Sequence, residues 1–153
     1  MNAQAHSDYL PIVTLMFVSG LGIPVFAAFN GALGQQLGGP VAASAVSFAI
    51  ALVFALILLA LVGFPSRAAF TFERPYIWFG ALFVLFYGIA VSFAVPRIGV
   101  GNAVFFVLLG QLVAAAAIDH FGWWGAMHAP LTLRRALGIA AMGLGVYLAK
   151  KPV

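Results

Sequence analysis

The residues able to do chemistry are few, and many gather in one apolar stretch, 108–124, LLGQLVAAAAIDHFGWW. Gln111 brings an amide with both donors and an acceptor. Unpaired in hydrocarbon it would cost several kcal/mol, so it must face other helices or a wet cavity. Two readings stand: an interhelical hydrogen bond, worth about 1 kcal/mol in a membrane, and the lining of a cavity for a polar solute. Asp119 and His120 follow about 12 Å farther along a helix and rotated by about 80°, near the membrane boundary rather than its centre. A neighbouring carboxylate and imidazole can form a proton- or cation-responsive gate. The competing reading is a structural pair that ties the 119–135 loop to the helix ends through Arg134 or Arg135. Trp123 and Trp124 suit an interfacial aromatic pair, or a cation–π platform for an organic cation.

The remaining polar inventory is neutral. Tyr87, in the middle of an apolar run, is the best aromatic candidate for a cavity. Asn30, Ser92 and Asn102 are further cavity candidates, with Gln35 and Gln36 nearby; Asn30 and Asn102 lie where apolar runs end or begin, so helix capping competes. Neutral hydrogen-bonding groups suit a small polar or amphipathic solute better than a bare ion. His6 and His128 read as exposed polar residues. There is no cysteine, no HxxxH and no carboxylate cluster, so no metal site and no cofactor is implied. Without paired carboxylates or a nucleophile–base motif, the chain does not read as an enzyme.

The elements that must carry these residues follow from composition. The chain of 153 residues is 65% hydrophobic and 7% charged, with mean hydropathy +1.14. A soluble domain carries about 25% charged residues, so this is an integral membrane protein, surrounded by the lipid bilayer. The net charge of +4 would suggest nucleic acid in a soluble chain. Here the basic residues stand singly or in pairs at the ends of apolar runs, which is membrane anchoring, and no nucleic-acid partner is expected. A hydrocarbon core of about 30 Å needs about 20 apolar residues in a helix. Runs near 10–29, 41–62, 76–95, 100–118 and 133–149 qualify, and none alternates with the period of a barrel strand. The expected fold is all-α: one membrane domain, 1–153, a bundle of five transmembrane helices.

Local signals refine this. No Lys or Arg precedes the first run, so it reads as a retained helix rather than a signal peptide. Gly20, Gly22 and Pro24 invite a kink or a hinge there. Pro75 suits the first turn of the third helix, and Thr132 suits the N-cap of the fifth. The short 96–102 connection predicts an antiparallel hairpin of helices three and four. Lys150 and Lys151 would anchor the last helix at an interface. Small residues recur at helical spacing, among them Ser44, Ser47, Ala51 and Ala55, then Gly88 and Ser92, Gly110 and Ala114, and Gly138, Ala141 and Gly145. Such faces let membrane helices approach closely.

The cytoplasmic side of a membrane protein is usually the more basic. With a cytoplasmic N-terminus and five spans, Arg67, Arg74, Arg134 and Arg135 lie inside and Arg97, Lys150 and Lys151 outside. That is four against three, almost no bias. Such a chain can insert either way up, and two opposite copies would make an inverted-repeat pair around a midplane site, a common transporter plan. One deciding charge, or a different opposite-facing partner, is the alternative.

GVGNAVFFVLLGQLVAAAAIDHFGWWG, followed by APLTLRRALGIAAMGLGVYLA, resembles the small five-helix YdcZ-like family of the drug/metabolite transporter superfamily. FNGALGQQLGGPVAASAVSF and VPRIGVGNA are similar to that family too. The most specific part runs from Gly110 and Gln111 through Asp119 and His120 to Arg134 and Arg135. The resemblance implies a multi-pass protein of the cell inner (plasma) membrane. It also implies half of a ten-helix transporter, working as a homodimer or as a heterodimer with an oppositely oriented homologous subunit. The superfamily's four-helix exporters use a glutamate in the middle of their first helix. This chain has no acidic residue between Asp8 and Glu73, so no proton-antiport mechanism carries over. The expected function is a secondary transporter subunit for a small-molecule substrate; a non-transporting scaffold or assembly subunit is the alternative.

Overall fold

A lone apolar segment can satisfy its backbone in lipid only as a helix, and the described residues hold helices, short 3-10 turns and no strand. The computed structural model describes residues 3–149, with side chains described from 9 onward. Lys150, Lys151 and the side chain of His6 lie outside that range. Four helices follow in order: α1 (Ala3–Gln36), α2 (Pro40–Val62), α3 (Gly80–Phe121) and α4 (Leu133–Ala149). Three stretches are long and apolar enough to cross a membrane: Tyr9–Gln36, Pro40–Val62 and Pro75–Phe121. Nearly every large apolar side chain is exposed, as lipid-facing residues must be.

Where each helix stops has a local cause. α1 runs past the expected end at 29 because Asn30–Gln36 contains neither proline nor charge, and it continues through Gly20, Gly22 and Pro24. It ends at the glycine pair, where Gly38 takes φ 76°, a value that costs a glycine nothing. Pro40 then opens α2 at its first position, where a missing N–H is harmless. Gly63 closes α2 at φ 110°, its N–H donating to the Leu59 carbonyl. Pro75 opens a 3-10 turn, Pro75–Phe79, that feeds α3. α3 is interrupted once, at Gly99 (φ 82°, ψ 158°), inside the connection expected between helices three and four. Gly122 ends it in the left-handed region, φ 62°. Thr132 caps α4 as expected, its hydroxyl accepting the Arg135 N–H at 3.2 Å.

The chain forms two compact units, Met1–Arg97 and Ile98–Val153. In the first, α1, α2 and the leading part of α3 meet over very small residues. Ala27, Ala43 and Ser44 are fully buried, and so are Gly31 and Gly34. A Cβ on Gly31 would come within 2.9 Å of Val95, and one on Gly34 would collide with the Ser92 hydroxyl. Gly88 has no room either, since a Cβ there would sit 2.9 Å from the Phe48 ring. With no hydrophobic drive between helices in lipid, such backbone-close contacts are what binds them. In the second unit Ala103 and Ala116 are buried, and Gly143 of α4 faces Leu109.

The Gly34 contact gives a test. Gly34→Ala should destabilise the purified protein in detergent by about 1–3 kcal/mol, the usual cost of overpacking. Adding Ser92→Ala should recover part of that loss, because it removes the atom in the way. Thermal unfolding of the single and double variants measures the coupling.

Candidate functional site

Asn30 lies within α1, a turn and a half before its end, so it is not a cap. Its side chain is buried, at 1% exposure, and reaches two other helices. The amide Nδ2 donates to the Gly88 carbonyl at 2.8 Å and, more weakly, to Ser44 Oγ at 3.4 Å. The amide oxygen accepts from Ser47 Oγ at 2.8 Å. Its backbone carbonyl accepts from Ser92 Oγ, also at 2.8 Å. One residue thus joins α1, α2 and α3 through four hydrogen bonds. Ser44 and Ser47 stand three apart on one face of α2, and Gly88 and Ser92 four apart on one face of α3, which is the spacing that lets both members of each pair meet a common partner. Asn30 and Ser92, both cavity candidates from the sequence, come together in a satisfied interhelical network.

One turn away lies an aromatic group. Phe26, four residues before Asn30, packs beside Tyr87 with ring centroids 6.0 Å apart and planes at 26°. Phe48, four after Ser44, lies 6.4 Å from Phe26 on the other side. The Tyr87 hydroxyl is buried here and has no hydrogen-bond partner among the described residues. Buried hydroxyls are normally bonded, so this one is the first unit's clearest open polar position. Sequence reasoning found Asn30, Ser92 and Tyr87, but read Ser44 and Ser47 only as small residues and missed Phe26 and Phe48. Their four-residue offsets from Asn30 and Ser44 were the available signal.

The other expected residues belong to the second unit. Asn102 is buried, at 7% exposure, inside α3 beyond the Gly99 break rather than at a helix cap. Gln111 is exposed on the outer surface of a membrane helix. Asp119 pairs with Arg135, Nη2 to Oδ2 at 2.6 Å, and its backbone carbonyl accepts the Ala129 N–H at 2.8 Å. His120 accepts the Leu131 N–H on Nδ1 at 2.9 Å, which requires that nitrogen to be unprotonated. Carboxylate and imidazole are therefore each held by the 129–135 segment. His120 meets Phe121 edge-on at 4.7 Å, Phe121 stacks on Trp123 at 4.9 Å, and Trp124 meets Trp123 edge-on at 5.7 Å. The turn that makes this possible holds Trp124 at φ 56°, uncommon for a residue with a large side chain. His128 is exposed. No group of three metal-ligating side chains occurs among the described residues.

Both members of the Asp119–Arg135 pair are about one-third exposed, at 36% and 35%. A pair so placed contributes about 0–1 kcal/mol. Asp119→Asn should therefore shift unfolding in detergent by no more than about 1 kcal/mol, and a loss of several would show that the pair holds the second unit together.

A family model described as "Putative inner membrane exporter, YdcZ" matches residues 11–148. No curated protein and no solved structure matches the chain. The match takes in the first apolar span from residue 11 onward and the other two whole, with the Asn30 network and the Asp119–Arg135 loop, and on it the chain belongs to the YdcZ family of inner-membrane drug/metabolite transporter proteins.

Proposed function

We propose that the chain is one half of a secondary transporter that moves a small polar or amphipathic solute out of the cell, as an antiparallel dimer. The observation that carries this reading is the Tyr87 hydroxyl, buried between helices beside Phe26 and without a hydrogen-bond partner among the described residues. A solute hydroxyl, amine or carbonyl can complete it while the solute's apolar part lies on the rings. Apolar walls with few polar anchors are the usual make-up of a small-molecule site.

Five spans complete the picture. The 47-residue stretch Pro75–Phe121 would be about 70 Å long as one helix, over twice the hydrocarbon core of about 30 Å. The break at Gly99 divides it into two lengths that each suffice for one crossing. α4, with 17 residues, spans about 26 Å, enough with a slightly thinned bilayer. Exposed Gln111 supports a second subunit, because its amide cannot face hydrocarbon without loss. Alternating access then comes from rocking one half against the other around a midplane cavity.

The test is flux into proteoliposomes from a panel of organic acids, amino acids, sugars and nucleosides. At least one solute should be carried. Tyr87→Phe should weaken its apparent affinity by about three- to tenfold, the worth of one hydrogen bond, with no loss of thermal stability. Absence of flux across the panel, with stoichiometric co-purification of a larger complex, would replace this reading with that of a membrane scaffold.

A further inference from the structure

The first unit has a hollow of about 470 Å³ at the end where α1 turns into α2. Gly34, Gln35, Gly38, Gly39 and Pro40 form one wall, and Ser92, Phe93, Pro96 and Arg97 the other. The volume suits a small metabolite rather than a bare ion, since ligand pockets run from about 300 to 1,000 Å³. We propose that this hollow binds an anionic group, a carboxylate or phosphate, with Arg97 as its charged anchor.

Three features set the charge it selects. The first is an Arg97 charge with no counter-charge. Its guanidinium lies 3.6 Å from the Phe93 ring centroid and donates from Nη1 to the Phe93 carbonyl. A guanidinium has five N–H donors, and no carboxylate pairs with this one among the described residues, where the single ion pair is Asp119–Arg135. Glu73, the one carboxylate described in the first unit, lies beyond the far end of α2, about 35 Å of helix away. The Phe93 contacts aim the side chain, since they hold the guanidinium plane at the hollow's wall.

The second feature is the start of α2, which has no side-chain cap: Gly39 occupies the cap position and makes no such bond. Pro40, the first-turn residue that lines the hollow, has no N–H to give, so the helix adds only the positive end of its dipole there and no first-turn donor. The third is the balance at the wall: the last turn of α1, at Gly34 and Gln35, brings the negative end of its own dipole to the same hollow and offsets that of α2, which leaves the Arg97 charge to decide. Gln35 is exposed at the rim and offers an amide donor, and the Ser92 hydroxyl is fixed by its bond to the Asn30 carbonyl. A fixed cation and a side-chain amide donor at a cavity of this size favour a negatively charged group over an organic cation.

This assignment deepens the transporter reading and rests on it for its purpose, but binding can be measured without transport. The anionic group could belong to a soluble solute or to a lipid headgroup. Purified full-length protein in an uncharged detergent is titrated, at constant ionic strength, with glycerol 3-phosphate, with succinate, or with phosphatidylglycerol in mixed micelles. The melting temperature reports binding. Stabilisation by a soluble anion that weakens about tenfold or more in Arg97→Gln, as expected for loss of a charge-assisted hydrogen bond, supports a solute site. Stabilisation by phosphatidylglycerol alone, equally lost in Arg97→Gln, supports the same anion site and assigns it to a headgroup. Gln35→Leu, an exposed position in the last turn of α1, should weaken either ligand several-fold and serves where Arg97→Gln does not fold. No stabilisation by any of the three, or stabilisation unchanged by both substitutions, overturns the proposal. Absent flux with intact anion binding would instead remove the transporter reading and leave the site standing.

Discussion

Asn30 is the point on which the first unit depends. In water its amide would find solvent; in lipid it must be bonded internally or pay the full cost of desolvation. The protein meets that constraint by bringing three helices within reach of one side chain. Ser44 and the Gly88 carbonyl accept from the amide nitrogen, Ser47 donates to the amide oxygen, and Ser92 donates to the backbone carbonyl. For these bonds to form, the helices must nearly touch, which is why Gly31, Gly34 and Gly88 stand where any Cβ would strike a neighbour. Close approach and polar satisfaction are one requirement here, and together they fix the register of α1, α2 and the leading part of α3.

Around that fixed point the rest of the unit takes its form. A turn away, the same close helices leave a buried Tyr87 hydroxyl, its ring beside Phe26, with no partner among the described residues. At the end of the bundle, where α1 must reverse into α2, the glycine pair opens a hollow with an arginine on its wall. The second unit is organised differently, by a loop. Asp119 and His120 accept backbone N–H groups from Ala129 and Leu131 of the segment that leads into α4, and Asp119 and Thr132 are bonded to Arg135 in its first turn, so the most conspicuous polar residues of the sequence hold a chain connection in place.

Much of this was legible beforehand. Apolar runs and the rarity of charge showed a membrane bundle, and Pro40, Pro75 and Thr132 marked where elements begin. The end of α1 was not legible, because Asn30 reads as a cap until one sees that glycine and glutamine can continue a helix to Gln36. The Gly99 break was visible only as a short polar connection, since PRIGVGN carries no residue that must leave the helix. Tyr87 could be singled out because one hydroxyl in a long apolar run needs a reason. Arg97 could not: the sequence counts it as a loop charge, and only the fold shows α2 beginning beside it with no acid to neutralise it. Gln111 stays informative in the other direction, since its amide is exposed on a membrane helix, where hydrocarbon would leave it unbonded, and the proposed second subunit is what would cover it.

That second subunit, lying the opposite way up, is the central claim, and orientation tests it most directly. Gln36 and Ser66 flank α2, one clear span, and both are exposed. With no native cysteine, Gln36→Cys and Ser66→Cys each give a single reactive thiol, which a membrane-impermeant reagent reaches in intact cells only from outside. The account predicts that about half of the molecules of each variant are labelled, the two orientations of an inverted-repeat pair being equally populated. Full labelling of one variant and none of the other would contradict it, and would show a chain of fixed orientation that cannot form the pair with itself.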